Sequence, residues 1–398
     1  MKKYHYIIIG GGMTGSAAVM GIREVDQQGS IAMFSRDSHG PYNRPPLSKS
    51  LWGKGKVEDI MRPMDKYDVD LFLQDKITAI HPQEKWVESE KGQKLSYDKL
   101  LLATGGHPIQ LKNMPDGVIY YRTLSDFEKL QKLAETKQDF AVVGAGFIGS
   151  EIAAALNKQG KSVTMIFPEI GIAGRIFPDD LSEYMNGYYQ EKGVKVLSGN
   201  LVNAIEKQDD KYTVTYTNQD TGEAQHTEFD GVVVGVGIRP NIYLADEAGL
   251  KIENGVVVND FLQTDNPDIY AAGDVANFYN HALEERTRVE HEDNANTMGM
   301  LAGKNMAGEK LAYDHFPFFY SDLFDMGYEA LGDLHKDARI VEDWIDPNQK
   351  GAIVYLEDDK VRGAIFWNLW GKVDQGREVI AAGESFPGDA IKGVFTQD

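Results

Sequence analysis

Twice in this chain a short apolar, β-branched run leads into glycines spaced G-x-G-x-x-G and then into residues with helical apolar spacing. That repeat limits the fold more than any other feature. The first unit is Tyr4 to Ile9, then Gly10-Gly11-Gly12-Met13-Thr14-Gly15, then Ser16 to Val25. The second is Asp139 to Val143, then Gly144-Ala145-Gly146-Phe147-Ile148-Gly149, then Ser150 to Gln159. In such a turn the first glycine allows the bend, the second lets a pyrophosphate reach the backbone, and the third lets the helix pack on its strand. The helix N-terminus then stabilises the phosphates. One match could equally be a plain strand-to-helix turn, whereas two in the same context predict two bound dinucleotides.

Two dinucleotides in one chain point to FAD and NAD, because hydride then passes from a soluble carrier to a bound one. The strand-like run Ser162 to Phe167 ends at Glu169, about 20 residues past Gly149, where an acid binds the ribose 2′-hydroxyl. A carboxylate there repels a 2′-phosphate and predicts NADH over NADPH. The alternative is an exposed loop acid, and the nearby Arg175 leaves room for NADPH. The chain has no cysteine, which excludes thiolate nucleophiles, redox disulfides and cysteine-held iron–sulfur clusters. Its net charge of -20 argues against nucleic acid as a partner. The apolar run Ile7 to Ile9 is too short for a secretory core, and no membrane span is evident, so a cytoplasmic location is expected.

At 398 residues the chain should split into two or three domains. Strand-like runs alternate with helical ones in both halves, as in parallel open sheets, with a linker expected near Lys112 to Gly117. The tail "GAIVYLEDDKVRGAIFWN" reads as two strands joined at Glu357-Asp358-Asp359, followed by an amphipathic segment from Lys372 to Ala382.

Together "IIIGGGMTG", "PYNRPPLSK", "LLATGG", "VVGAGFIGSEIAAAL", "GVGIRPN" and "IYAAGDVA" resemble the FAD- and NAD-dependent reductases of the glutathione-reductase-like fold. "PYNRPPLSKSLW", "RVEHEDNANTMG", "YSDLFDMGYEALG" and "KGAIVYLEDDKVRGAIFWN" are similar to the apoptosis-inducing factor family within it. The resemblance implies an α/β fold of two Rossmann-like dinucleotide-binding domains plus a C-terminal α+β domain. Residues 1–113 and 238–316 would form the FAD domain, 114–237 the NAD domain and 317–398 the C-terminal domain.

The resemblance also implies site residues. FAD would meet Gly10, Gly12, Thr14 and Gly15, Ala103-Thr104-Gly105, Arg44 on its phosphate and adenosine side, Arg122, the backbone near Ile77, and Asp274 at the ribityl chain. NAD would meet Gly146, Phe147, Ile148, Glu169, Arg175 and Gly237. Lys49 would reach the reactive part of the flavin and pair with Glu151. A cation about 4 Å from anionic reduced flavin, at an effective dielectric of about 20, gives about 4 kcal/mol before desolvation. For a two-electron couple that is an upper limit of roughly 90 mV. Phe147 would cover the flavin and swing onto nicotinamide; the alternative is a core phenylalanine. Glu151 is expected in the first helical turn, either opposing the helix dipole or facing the cofactor cleft. Glu290 and His291 would lie near the flavin and nicotinamide edge; the alternative is a helix-surface pair. Tyr320 stands where well-known members carry tryptophan. Arg36 replaces the usual ribose-binding glutamate, so ribose recognition passes to Asp37 or Arg36 stacks on adenine. The stretch Asp337 to Lys350 reads as a short linker without the long insertion of cell-death members.

Three functions compete. The first is a FAD-dependent NADH oxidoreductase that passes electrons to a quinone, oxygen or a separate carrier, with a stable NADH–flavin charge-transfer complex as one variant. The second is a low-turnover, redox-responsive binding protein that forms an NADH-dependent homodimer. The third is a ferredoxin or rubredoxin reductase, against which the acidic charge weighs.

Overall fold

The structure is a computed structural model describing residues 1–397. The chain divides into two compact units. Unit 1 comprises Met1–Arg44, Lys56–His107 and Arg239–Phe319. Unit 2 comprises Pro45–Gly55, Pro108–Ile238 and the chain from Tyr320 onward.

Unit 1 is built on a sheet whose order is Val69–Leu73, Ile31–Ser35, Lys2–Ile9, Lys94–Leu102, Trp86–Ser89 and Ile77–His81. The strand Ile269–Ala271 also pairs in parallel with Lys94–Leu102. The central pairs are parallel, with Ile7 opposite both Ala32 and Leu100. Such strands are covered on both faces, and Ile7, Ile8, Ala32, Met33, Leu100 and Leu101 are accordingly fully buried. The stretch from Ile77 to Leu102 departs from the expected strand–helix alternation. It runs as antiparallel neighbours, because its connections are tight turns with Lys85 and Gly92 at positive φ.

Two helices in unit 1 touch backbone to backbone. Met13–Val25 follows the first glycine turn, and Glu292–Met306 lies against it. A Cβ on Gly299 would strike the carbonyl of Thr14, and one on Gly303 the carbonyl of Ala18. These contacts advance in the same sense along both helices, so the two N-terminal ends lie on one side, where partial positive charge concentrates.

Unit 2 holds a five-stranded parallel sheet in the order Lys195–Leu197, Ser162–Ile166, Asp139–Val143, Gly231–Val234 and Ile119–Tyr120. A three-stranded antiparallel sheet follows, from Asn200 to Phe229. The expected linker Lys112 to Gly117 is not one. The chain passes between units at His107/Pro108, and Leu111 and Met114 pack on the core beneath the three-stranded sheet. Tyr212 Oη also donates to the carbonyl of Asp116 at 3.2 Å.

The C-terminal sheet has the order Phe318–Leu323, Met326–Gly332, Lys360–Trp367, Lys350–Glu357 and Arg339–Asp346. Of the expected join Glu357-Asp358-Asp359, Glu357 ends the strand Lys350–Glu357, and Asp358 and Asp359, at φ 48° and 63°, make a two-residue turn in a conformation that Asp tolerates. The stretch read as a linker supplies the edge strand Arg339–Asp346. This sheet groups with residues 108–238 in one compact unit because its side chains grip the helix Asp179–Glu191 and the residues before it. Lys336 pairs with Asp179, Gln349 bonds Tyr184, and Tyr355 donates to the carbonyl of Ile176. No helix among the described residues is long and apolar enough to cross a membrane.

Gly303→Ala should raise helix propensity by about 1 kcal/mol yet force apart two backbones in contact, at a cost of about 1–3 kcal/mol. A net loss is expected in urea unfolding; a gain in stability would mean that the helices are not in contact.

Candidate functional site

The two glycine turns repeat one geometry. Gly10 and Gly144 have φ of 127° and 98°, which disfavours any side chain. A Cβ on Gly15 would strike the carbonyl of Gly10, and one on Gly149 the carbonyl of Gly144. The middle glycines differ: a Cβ on Gly146 meets nothing within 4 Å, and one on Gly12 meets only the Arg44 guanidinium, at 3.8 Å. Each helix begins at its middle glycine with no side-chain cap and no acid in the first turn. Open backbone, unfilled N–H groups and, in the first turn, an arginine form a cradle that fits a pyrophosphate.

Around the first turn, Ala103 donates its N–H to Ile9 at 2.9 Å and its carbonyl lies where a side chain on Gly10 would go. Thr104 is clasped by Asn241 through two hydrogen bonds, and Gly105 stands at positive φ. Gly273, φ 73°, packs on Thr14, which joins the first turn to the segment holding the buried Asp274. Ile77 offers only backbone, its side chain being in the core. Asp37 accepts from the His39 N–H and from Tyr42 Oη, so its carboxylate shapes its own loop, while Arg36 is exposed. Arg62 went unnoticed in the sequence. It donates to Asn43, Met13, Ser16 and Asn296, tying the turn to both helices, and burial lowers its pKa.

His291 stands just before the helix Glu292–Met306, at the N-cap position without a side-chain capping bond, and its ring stacks on Phe319 at 4.2 Å. Packing pushes its pKa down to about 4 against the opposing pull of Asp274 and Asp293. Glu290 pairs with Arg288 at 2.5 Å.

In unit 2, Glu151 is the fifth residue of the helix Phe147–Lys158, beyond the first turn, so it is not the expected partner of the dipole. It is instead a buried hub. Lys49 Nζ lies 2.5 Å from Oε1, Ser321 Oγ donates to Oε1 at 2.6 Å, and Ser48 Oγ donates to Oε2 at 2.5 Å. Lys49 also lies 3.4 Å from Asp322 and 5.2 Å from the Tyr320 ring centroid. Burial, then the Glu151 charge, raises the hydroxyl pKa of both Tyr189 and Tyr328 well above the ordinary range. The proline-stiffened loop is held in this unit by Trp52, whose indole donates to the Leu47 carbonyl at 2.9 Å and lies edge-on to Phe127. Ser48, Ser321 and Asp322 were not picked out from sequence; their only signal is adjacency to Lys49 and Tyr320.

Phe147 and Ile148, at the open N-terminus of that helix, are 38% and 37% exposed, so Phe147 is not a core residue. Glu169 follows the strand Ser162–Ile166 and pairs with Arg175 at 2.7 Å. Their loop folds back on the second turn, with Ala173 N–H donating to the Ala145 carbonyl at 2.9 Å. Gly237, at φ 109°, accepts from the Ile109 N–H. Arg122 precedes the helix Leu124–Thr136, its N–H donating to Asp126.

Residues 4–299 match the pyridine nucleotide-disulphide oxidoreductase family. The chain is 35% identical to apoptosis-inducing factor 1, mitochondrial, of Dictyostelium discoideum, over 96% of this chain and 79% of that protein. It is 31% identical to the 5,5'-dehydrodivanillate O-demethylase ferredoxin reductase subunit of Sphingobium sp. (strain NBRC 103272 / SYK-6), over 98% and 96% respectively. The covalent putidaredoxin reductase–putidaredoxin complex superposes with a TM-score of 0.88 at 28% identity, covering 97% of this chain and 95% of that one.

Lys49→Met would leave Glu151 buried without a counter-charge, an expected loss of about 3 kcal/mol in denaturant unfolding. Adding Glu151→Gln should recover most of it, whereas additive losses would mean that the pair does not interact. The depressed His291 pKa sets a second expectation. Between pH 6.5 and about 4 the unfolded chain binds a proton at His291 that the folded chain refuses, so its share of stability is present above 6.5 and lost on acidification. Urea midpoints should therefore fall less between pH 7 and pH 5 in His291→Phe than in the parent.

Proposed function

Because this chain belongs to the pyridine nucleotide-disulphide oxidoreductase family and is a flavin-dependent NAD(P)H oxidoreductase, we propose that it selects NADH and delivers electrons to an acceptor outside its own chain. FAD held by this chain would supply the hydride and electron-transfer chemistry. The chain contributes binding and electrostatics. In this reading Gly10, Gly12 and Gly15 with Arg44 hold the FAD pyrophosphate, and Gly146 with its helix N-terminus holds that of NADH. Lys49, held in place by Glu151, would support the negative charge that reduction brings. Without cysteine the chain has no dithiol of its own to store electrons, so the acceptor would be a quinone, oxygen or a carrier protein.

The observation that carries NADH selectivity is Glu169, pinned beside the second glycine turn by the loop that returns to Ala145. Its carboxylate suits a ribose diol and opposes a 2′-phosphate. A carrier-protein acceptor is the second reading, supported by the ferredoxin reductase subunit and the putidaredoxin complex among the relatives.

Anaerobic titration should show flavin bleaching by NADH at far lower concentration than by NADPH. The kcat/KM preference should be about tenfold to a hundredfold, as befits one or two charge-assisted contacts. Glu169→Ala should narrow that ratio. Equal bleaching by both nucleotides, or an unchanged ratio in the variant, would overturn the assignment.

A further inference from the structure

The strands Phe318–Leu323 and Met326–Gly332 are joined by two residues, Phe324 and Asp325. Phe324 has φ 60°. The first position of a two-residue hairpin at positive φ ordinarily goes to glycine or asparagine, and a bulky side chain there is strained. The ring offsets that strain through its contacts. It meets Tyr189 edge-on at 4.9 Å and Tyr188 at 6.1 Å, with Lys158 and Lys192 over it at 5.5 and 6.0 Å. Lys158 donates to the Phe324 carbonyl at 3.2 Å, and Lys192 pairs with Asp325 at 2.5 Å. The turn is thus fastened to the C-terminal ends of the helices Phe147–Lys158 and Asp179–Glu191.

The same hairpin reaches back to the first of these helices at a second point. Tyr189, beneath the Phe324 ring, donates to the Ser150 carbonyl at 3.1 Å, and Ser321, three residues before Phe324, donates to Glu151. Turn, helix and strand close a loop around the Lys49–Glu151 pair. We propose that Phe324 is a positioning residue: its ring fixes the hairpin so that Ser321 holds the Glu151 carboxylate and, through it, Lys49. Its relevance to catalysis rests on the role given above to that pair.

The test is acetylation of the FAD-loaded protein by acetic anhydride, read lysine by lysine by mass spectrometry, beside the rate of flavin reduction by NADH. Phe324→Gly relieves the turn and removes the ring. Lys49 modification should rise about threefold or more through local opening, while the surface Lys94, in unit 1, stays unchanged. Phe324→Tyr should behave as the parent. Ser321→Ala should also expose Lys49 and add nothing to Phe324→Gly, since both act through one contact. Unchanged Lys49 modification in folded Phe324→Gly would overturn the proposal, as would equal increases at all lysines. If Phe324→Gly fails to fold, Phe324→Leu, which keeps apolar bulk but loses the ring contacts, carries the same test. Greater Lys49 exposure with an unchanged reduction rate would uphold the positioning role and overturn instead the assignment of the pair to hydride transfer.

Discussion

Contact between bare backbones underlies both cofactor cradles. At Gly15 and Gly149 a helix sits on the carbonyl of its own turn, and at Gly299 and Gly303 a second helix sits on the first. No side chain could occupy these points without pushing an element away. The helix N-termini are consequently delivered close to their sheets, with Gly12 and Gly146 open in front of them. In the proposed reading a pyrophosphate would be recognised mainly by what these positions lack, with Arg44 as the charged addition in unit 1.

Unit 2 adds a different constraint, a buried carboxylate that must be satisfied. Glu151 is 6% exposed, and such an ion is costly unless paired and hydrogen-bonded. Lys49, Ser48 and Ser321 meet that need together, and the pair therefore fixes the placement of two remote segments as well as its own. Two cations five residues apart, on either side of Pro45 and Pro46, serve different units. Arg44 belongs to the first turn and unit 1, Lys49 to the carboxylate and unit 2.

Much of this was legible in sequence because the signals are local. Glycine spacing, β-branched runs and the Asp358-Asp359 turn each depend on a few consecutive residues. The pairing of Lys49 with Glu151 came only through resemblance, since no local rule joins residues 102 positions apart. Ser48, Ser321 and Arg62 escaped for the same reason: serine and arginine carry no pattern that reveals a distant partner. The segment Lys112 to Gly117 contains Pro115 and Gly117, which suit a linker, whereas its Met114 and the adjoining Leu111 find a core. The helix ending at Lys158 begins at Phe147, which moves Glu151 out of the first turn where proximity to Gly149 had placed it.

The long sequence separations around Glu151 bear on how the chain acquires its shape. Its hydrogen bonds span 103 residues to Ser48 and 170 to Ser321. Such contacts cannot form until large loops have closed, and that entropy is spent before any hydrogen bond is gained. Until both serines and the lysine arrive, the carboxylate keeps its water. Dehydration of this one group therefore requires that both of those loops have closed. A chain that has formed its sheets and helices but not docked its C-terminal hairpin is compact yet lacks an ordered charge pair. Order in this charge pair thus depends on docking of a segment far away in the chain.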